Sequence, residues 1–482
     1  MDLRRLLAYD FFARSETAQT PPILVARRGW ILFVLSIAAV FLMPQTQRGL
    51  ALATLTSAAS IVVCMLMWTS LRPETIDDDA ARRSLTIVFL LGLAAVVART
   101  AMRYDTSLPD MLRSAAPAVA VLATGVVVCA TIVRFPLRRR AFAAAGIVLL
   151  VGLLFILKWR PAEDWAVGGL QRLGLRISGD DMTLPWLGIS YMTFRIIGSL
   201  IESRSGRLPA MSLYEFVVYV LFPPTLVAGP IDRAENFLRD LRTPFRSDGP
   251  PFGLGLATAD VVDAGRRIAF GALKAFVIAE MLTTIMLKSK FADILPTGMS
   301  SWLPLYAFTL HLYFDFAGYS DIAIGLARLL GIRAPENFRR PFLAPNLTEF
   351  WSRWHMSLTQ WIRAYWFNPF VRALRRRSFD GAAAILAAQI STMLLIGLWH
   401  GVSVNFALWG LWHGCGLFLH NRWSEFARRR LPIPEDRPRL QAAAHAVGAF
   451  VTFHFFALSL VFFAVETPQA AAALFARLFW IA

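Results

Sequence analysis

The chain has 482 residues, 56% of them hydrophobic and 13% aromatic, with only 17% charged. Globular domains average about 25% charged residues, and here the apolar residues form long blocks, which excludes a water-soluble multidomain protein and points to a polytopic membrane protein. The net charge of +17 does not call for nucleic acid, because Lys158, Lys274, Lys288 and Lys290 are the only lysines and the arginines gather in short bursts between apolar blocks, as topology determinants do.

A spanning helix needs about 20 mostly apolar residues. Spans are expected near 29–44, 50–70, 84–102, 113–133, 141–158, 184–202, 212–229, 267–287, 302–330, 381–399, 402–420 and 443–465, with a short tail at 469–481. Pro223, Pro224 and Pro230 interrupt the seventh, so a broken or re-entrant element is expected there. The fold class is therefore all-α and polytopic, with about 11–13 transmembrane or re-entrant helices.

The N-terminal segment begins MDLRRLLAYDFFARSETAQT, without a short apolar core before a small-residue cleavage site, so the first span is expected to be an uncleaved insertion signal. Arg4, Arg5, Arg14, Arg27 and Arg28 precede it. Arg72, Arg82 and Arg83 fill the second loop, and Arg134, Arg138, Arg139 and Arg140 the fourth, while the first offers only Arg48. The third balances Arg103 and Arg113 with Asp105 and Asp110. This alternation predicts a cytoplasmic N-terminus. The fifth loop, with Lys158, Arg160, Arg172 and Arg176, weakens the pattern and suits interfacial helices. The polar stretches 231–266 and 422–442 read as aqueous loops.

Cys64, Cys129 and Cys415 lie far apart in apolar stretches, with no metal spacing, and are expected to be small buried hydrophobes. Histidine is the side chain that titrates nearest neutrality, and there are seven. His400 ends an apolar run. An ionisable group at that depth faces a cavity or a bundle interior, or else it is an interfacial histidine reaching for water beside Trp399. His413 follows in a repeated Leu-Trp-His-Gly phrase. On one continuous helix the two would point roughly 140° apart, so they share no metal site, and His413 reads as structural. His355 accompanies an aromatic stripe of Trp351, Trp354, Leu358, Trp361 and Tyr365, which predicts one amphipathic helix flanked by Arg353 and Arg363. His311, His420, His445 and His454 read as structural.

Asp315 and Asp321 sit in an apolar block with Ala317, Gly318 and Ser320 between them. Intramembrane carboxylates need a partner, water or protonation. For Asp321, pairing with Arg328, Arg339 or Arg340 is the simplest account. No GxSxG elbow, GxxxxGK[ST] loop, HExxH or strand-following GxGxxG competes. Ser403 and Cys415 lack a base at fixed local spacing.

Five phrases occur in order: LGISYMTFRIIGSLIE (187–202), FPPTLVAGPIDR (222–233), YFDFAGYSDIAIGLARLLG (313–331), PENFRRPFLAPNLTEFWSRWHMSLTQWIR (335–363) and GLWHGVSVNFALWGLWHG (397–414). Together they resemble the membrane-bound O-acyltransferase family, above all its bacterial alginate O-acetyltransferase and teichoic-acid D-alanyl transfer branch. The resemblance covers about 187–421 and divides the chain into N-terminal helices without a counterpart (1–183), a core (184–421) and C-terminal helices (422–482).

It implies a central tunnel in which a cytoplasmic thioester, acetyl-CoA, another acyl-CoA or an acyl-carrier thioester, meets a hydroxyl acceptor from the other side, with no bound cofactor or metal. The family's membrane histidine falls on His400, and that of its RWHxSL phrase on His355; these become the catalytic candidates. Asp315, Trp399, Arg353, Arg339 and Arg340 become substrate-binding candidates, with Arg372–Arg377 as a further phosphate-attracting cluster or a topology signal. Also implied are a bacterial inner-membrane location, membrane lipid as surroundings, a cell-surface polysaccharide acceptor and a periplasmic or membrane-anchored acyltransferase partner. Two departures touch acceptor identity: Ala364 follows Arg363 where relatives carry Asp, and YWFNPFVRALRRR replaces a glycine-rich continuation. D-alanyl or longer-acyl transfer to another envelope glycan is the alternative enzyme. A transporter or flippase, which would carry inverted repeats, and a scaffolding subunit are the non-catalytic ones.

Overall fold

The computed structural model describes residues 23–43, 50–103, 108–134, 139–172, 186–243, 258–286, 299–431 and 436–480. Expectations for Arg4, Arg5, Arg14, Arg48, Asp105, Arg138, Arg176, Arg246, Asp248, Pro432 and Pro434, and for the side chains of Arg103, Asp110, Arg113, Arg139 and Arg140, lie outside the described residues. All regular structure among the described residues is helical. Among the described residues, seven helices are long and apolar enough to cross a membrane: Val25–Leu42, Leu52–Leu71, Asp78–Met102, Ser114–Arg134, Ala141–Lys158, Gly381–His400 and Pro438–Ala464. Two compact units emerge, 1–264 with 324–334, and 265–323 with 335–482.

In the first unit the chain runs through α1 (Ile23–Leu42), α2 (Leu50–Leu71), α3 (Asp78–Arg103), α4 (Leu108–Arg134), α5 (Arg139–Lys158) and α6 (Arg160–Arg172). Then come α7 (Ile189–Arg204), α8 (Leu213–Val220), α9 (Pro223–Leu226) and α10 (Ala234–Arg242). The seventh expected span is indeed broken, at Leu221–Phe222, where Pro223 starts a new turn. A helix end leaves carbonyls without intrahelical donors. Here Arg195 on α7, 2% exposed, supplies them. Its Nη1 donates to the carbonyls of Tyr219 (3.0 Å) and Val220 (2.9 Å), and its Nη2 to those of Thr225 (2.9 Å) and Pro230 (3.4 Å) and to the Thr225 hydroxyl. At the other end of α8, Ser212 and Glu215 form a capping box, and the buried Glu215 carboxylate also accepts from Arg242 Nε at 2.7 Å.

Asp232 lies just beyond this proline loop. Its Oδ1 accepts from the Arg233 N–H at 2.8 Å, whereas Oδ2 is buried without a hydrogen-bond partner. Desolvation pushes its pKa up to about 6 against the opposing backbone hydrogen bond from Arg233. A folded-state pKa raised above the unfolded value gives stability that is present below about pH 4 and lost as pH rises through about 6. Asp232→Asn removes that titration. Its melting temperature should exceed the parent's at pH 8 and match it at pH 4, read by scanning fluorimetry in detergent. An equal offset at both pH values would contradict the assignment.

The second unit contains the end of α11 (Thr258–Ala272), a π-helical turn Leu273–Ile278, α12 (Ala279–Leu282) and the apolar part of α13 (Met299–Leu329). The short helices α14 (Leu347–Arg353) and α15 (Met356–Ile362), a π-helical turn Arg363–Phe367 and α16 (Asn368–Arg376) follow. The chain ends in α17 (Gly381–His400), α18 (Val404–Arg430), α19 (Pro438–Ser459), α20 (Val461–Ala464) and α21 (Pro468–Leu478).

Asp380 caps α17, its carboxylate accepting from the Ala382 and Ala383 N–H groups, and Ser403 caps α18. These two helices pack through a glycine seam. A Cβ at Gly410 would lie 2.7 Å from the Met393 carbonyl, and one at Gly414 would lie 2.8 Å from Ile390 Cα, so only glycine allows this approach.

Three expectations change. α18 extends through Arg430 into the stretch expected to be a loop, because Glu425 pairs with Arg422 (3.0 Å) and Arg429 (2.9 Å) at helical spacing. Cys415 is exposed rather than buried like Cys64 and Cys129. The helix through the aromatic stripe is interrupted at Trp354–His355, where backbone hydrogen bonds to residues 337 and 339 hold the bend.

Candidate active site

The bend turns on His355. This residue is 4% exposed and adopts the left-handed conformation (φ 43°, ψ 51°) between α14 and α15. For a non-glycine residue such a backbone costs on the order of 1–3 kcal/mol and persists only where surrounding contacts over-determine it. Two backbone hydrogen bonds do so: Met356 N–H donates to the Asn337 carbonyl at 2.9 Å, and Arg339 N–H donates to the Arg353 carbonyl at 3.0 Å. The imidazole stands edge-on to Phe316 of α13, with ring centroids 4.7 Å apart.

His400 is the last residue of α17, exposed and followed by the extended Gly401. Its ring packs on Phe463 (5.0 Å), Trp409 (5.8 Å) and Phe406 (6.2 Å). Trp399 contacts both histidines, at 4.7 Å from the His400 ring and 6.3 Å from the His355 ring. A buried and an accessible imidazole thus share one indole. Burial pushes the His355 pKa down to about 3, and the neighbouring His400 adds to that depression. His355 is therefore a neutral imidazole throughout the physiological range, able to donate one N–H and accept at the other nitrogen.

The remaining candidates are distributed differently. Asp315 is exposed on α13, next to Phe316, and forms no ion pair among the described residues. Arg353 is bound to Glu349 at 2.5 Å, one helical turn back. Arg339 and Arg340 are exposed on the loop before the 3₁₀ turn Pro341–Leu343, with Arg340 left-handed (φ 49°). Asp321 is indeed ion-paired, but to Lys274 (2.6 Å) and Arg267 (3.0 Å), and Arg267 also pairs with Glu336; Arg328 pairs with Asp263 instead. The two histidines of the repeated phrase are not on one continuous helix, since Gly401 separates α17 from α18; His413 is fully buried against Ser459 Oγ at 2.9 Å.

Met356, which follows His355, and Ile396, one helical turn before His400, line a cavity of about 580 Å³, within the range typical of small-molecule sites; neither histidine is part of its wall. Trp351, Met356, Phe367, Met393 and Ile396 make much of its wall apolar, and Arg363 and Arg375 also line it. Gln389 and Thr392 contribute side-chain oxygens that are buried without a hydrogen-bond partner, and Trp351 contributes an indole N–H in the same state. Gln389 stands in the apolar run of α17, and a polar side chain inside a span was a legible signal of a site. Asn337 gave no such signal.

An all-helical membrane unit that shelters a neutral histidine, exposes a second one and adjoins a ligand-sized cavity has the parts of an acid–base group-transfer enzyme. The family described as MBOAT, membrane-bound O-acyltransferase family, matches residues 118–465, and the chain belongs to it. It is accordingly an O-acyltransferase and a multi-pass membrane protein. It is 34% identical over 301 residues to a teichoic acid D-alanyltransferase of Streptococcus thermophilus, covering 60% of this chain and 70% of that one. It is 30% identical over 280 residues to the Bacillus subtilis teichoic acid D-alanyltransferase, covering 57% and 69%. A probable alginate O-acetylase of Pseudomonas syringae pv. tomato is 39% identical over 233 residues, covering 48% and 42%.

Proposed function

We propose that the chain moves an acetyl group from a cytoplasmic thioester, acetyl-CoA or a carrier-bound equivalent, to a hydroxyl of a cell-surface polysaccharide or of its export partner. The pairing of buried His355 and accessible His400 across Trp399 carries this reading. His400 takes the acceptor hydroxyl proton as the oxygen attacks the thioester carbonyl. The new C–O bond forms, the C–S bond breaks, and the departing thiolate regains that proton. His355, neutral and held by its strained backbone, offers an N–H to the developing oxyanion.

The adjoining cavity suits the donor, because Gln389, Thr392 and Trp351 can meet the amides of a pantetheine arm while Arg363 and Arg375 attract phosphate. The probable alginate O-acetylase relative, more identical over a shorter stretch, supports the acetyl reading, and the D-alanyltransferase relative, less identical over a longer one, supports a D-alanyl one. Aromatic rings around His400 would suit the ammonium of a D-alanyl group and make that the second reading. The arginines at 27–28 and 82–83 support an inner-membrane placement with a cytoplasmic N-terminus, and delivery to a polysaccharide calls for a periplasmic or membrane-anchored acyltransferase partner.

Envelope glycan from a deletion strain, compared with the parent by NMR, should lack O-acetyl signals, which return on complementation. Unchanged acetylation would refute the acetyl assignment, and loss of ester-linked D-alanine instead would establish the second reading.

A further inference from the structure

The left-handed backbone at His355 requires contacts that over-determine it, and one residue supplies an unusual share of them. Asn337 is fully buried. Its carbonyl accepts from the N–H of Met356, the residue after His355, at 2.9 Å. Its side-chain Oδ1 accepts from the Ser357 hydroxyl at 2.6 Å, and its Nδ2 donates to Ser320 Oγ on α13 at 3.1 Å. One amide therefore ties the first turn of α15 to α13, the helix whose Phe316 receives the His355 ring.

The neighbouring Glu336 is itself anchored by Arg267, which also holds Asp321 beside Ser320. Backbone and side chain of 336–337 are thus fixed on both sides before they reach His355. The three bonds of Asn337 end on Met356 and Ser357, the two residues that follow His355, and on Ser320 of the helix that receives its ring.

We propose that Asn337 is a positioning residue for acyl transfer, holding His355 in its left-handed, buried setting through the Ser357–Asn337–Ser320 chain. The inference rests on the reading of His355 as a site residue. A displacement of about 1 Å in a reacting group can cost on the order of 10²-fold in rate. Asn337→Ala keeps the backbone bond to Met356 but deletes both side-chain bonds.

The experiment uses the full-length protein in proteoliposomes with an acetyl thioester donor. Asn337→Ala is expected to lower kcat by roughly 10- to 100-fold with KM for the donor nearly unchanged. A readout independent of turnover is diethylpyrocarbonate modification, quantified by peptide mass spectrometry. His355 should be protected in the parent and reactive in the variant, while exposed His400 reacts in both.

Ser357→Ala removes the same 2.6 Å bond from its other end, so it should show the same two changes. The double variant should be no worse than the more impaired single one. Should Asn337→Ala fail to fold, Ser357→Ala decides alone. Unchanged kcat, or unchanged His355 protection, overturns the proposal. Full activity in His355→Ala would instead remove the reading beneath it, and the protection assay would still judge whether Asn337 sets the His355 geometry.

Discussion

His400→Ala should nearly abolish acyl transfer while leaving the protein folded. General-base assistance is worth about 10²–10⁴ in rate, and the ring that would provide it is exposed at the end of α17, where its removal leaves the helix hydrogen bonds intact. The Gly410 and Gly414 seam that fixes α17 against α18 is also untouched. Transfer rate in proteoliposomes and the melting temperature measured on the same preparation separate the two effects. Transfer above about a tenth of the parental rate, far more than loss of a general base allows, would remove His400 from the mechanism.

Arg195→Met should be the most damaging single change to stability. The guanidinium is buried and serves four carbonyls and one hydroxyl around the broken helix at Phe222–Pro224. Methionine fills much of the space but donates nothing. Each buried acceptor left without a donor costs roughly 1–3 kcal/mol, so the total reaches several kcal/mol, a large part of the margin of a typical folded protein. Arg195→Lys should rescue poorly, because an ammonium cannot reproduce the planar fork that reaches acceptors at both ends of the loop. Yield of monodisperse protein and melting temperature report the loss. A variant that melts within a couple of degrees of the parent would show that the loop carbonyls find other donors.

How far the sequence could foresee this varies with the distance between the residues that cooperate. Spans such as α2 and α17 are carried by consecutive apolar residues, and the break after α8 by Pro223 and Pro224, so both were readable locally. The interruption at His355 was not. Trp351, Trp354, Leu358, Trp361 and Tyr365 satisfy one helical stripe as well as two shorter helices, and the deciding contacts come from Asn337 and Ser320.

Distance also hid the partners of Asp321, since Arg267 and Lys274 precede it by 54 and 47 residues. Nearby arginines looked sufficient on the sequence, and Arg328 turned out to belong to Asp263. His400 and His355 were singled out by family resemblance. Polarity and aromatic context alone left each with a plain interfacial alternative, and only the shared packing on Trp399 sets them in one place.

The difference among the three cysteines has a practical side. Cys64 and Cys129 are buried and Cys415 is exposed, on the helix that begins just after His400. Cys415 lies in the segment 402–420 that the sequence reads as a span, so its exposed thiol faces lipid and a membrane-permeant spin label would single it out without removal of the buried cysteines. A probe at that point would report on the α17–α18 hairpin from its outer surface, leaving both histidines and the cavity chemically unaltered.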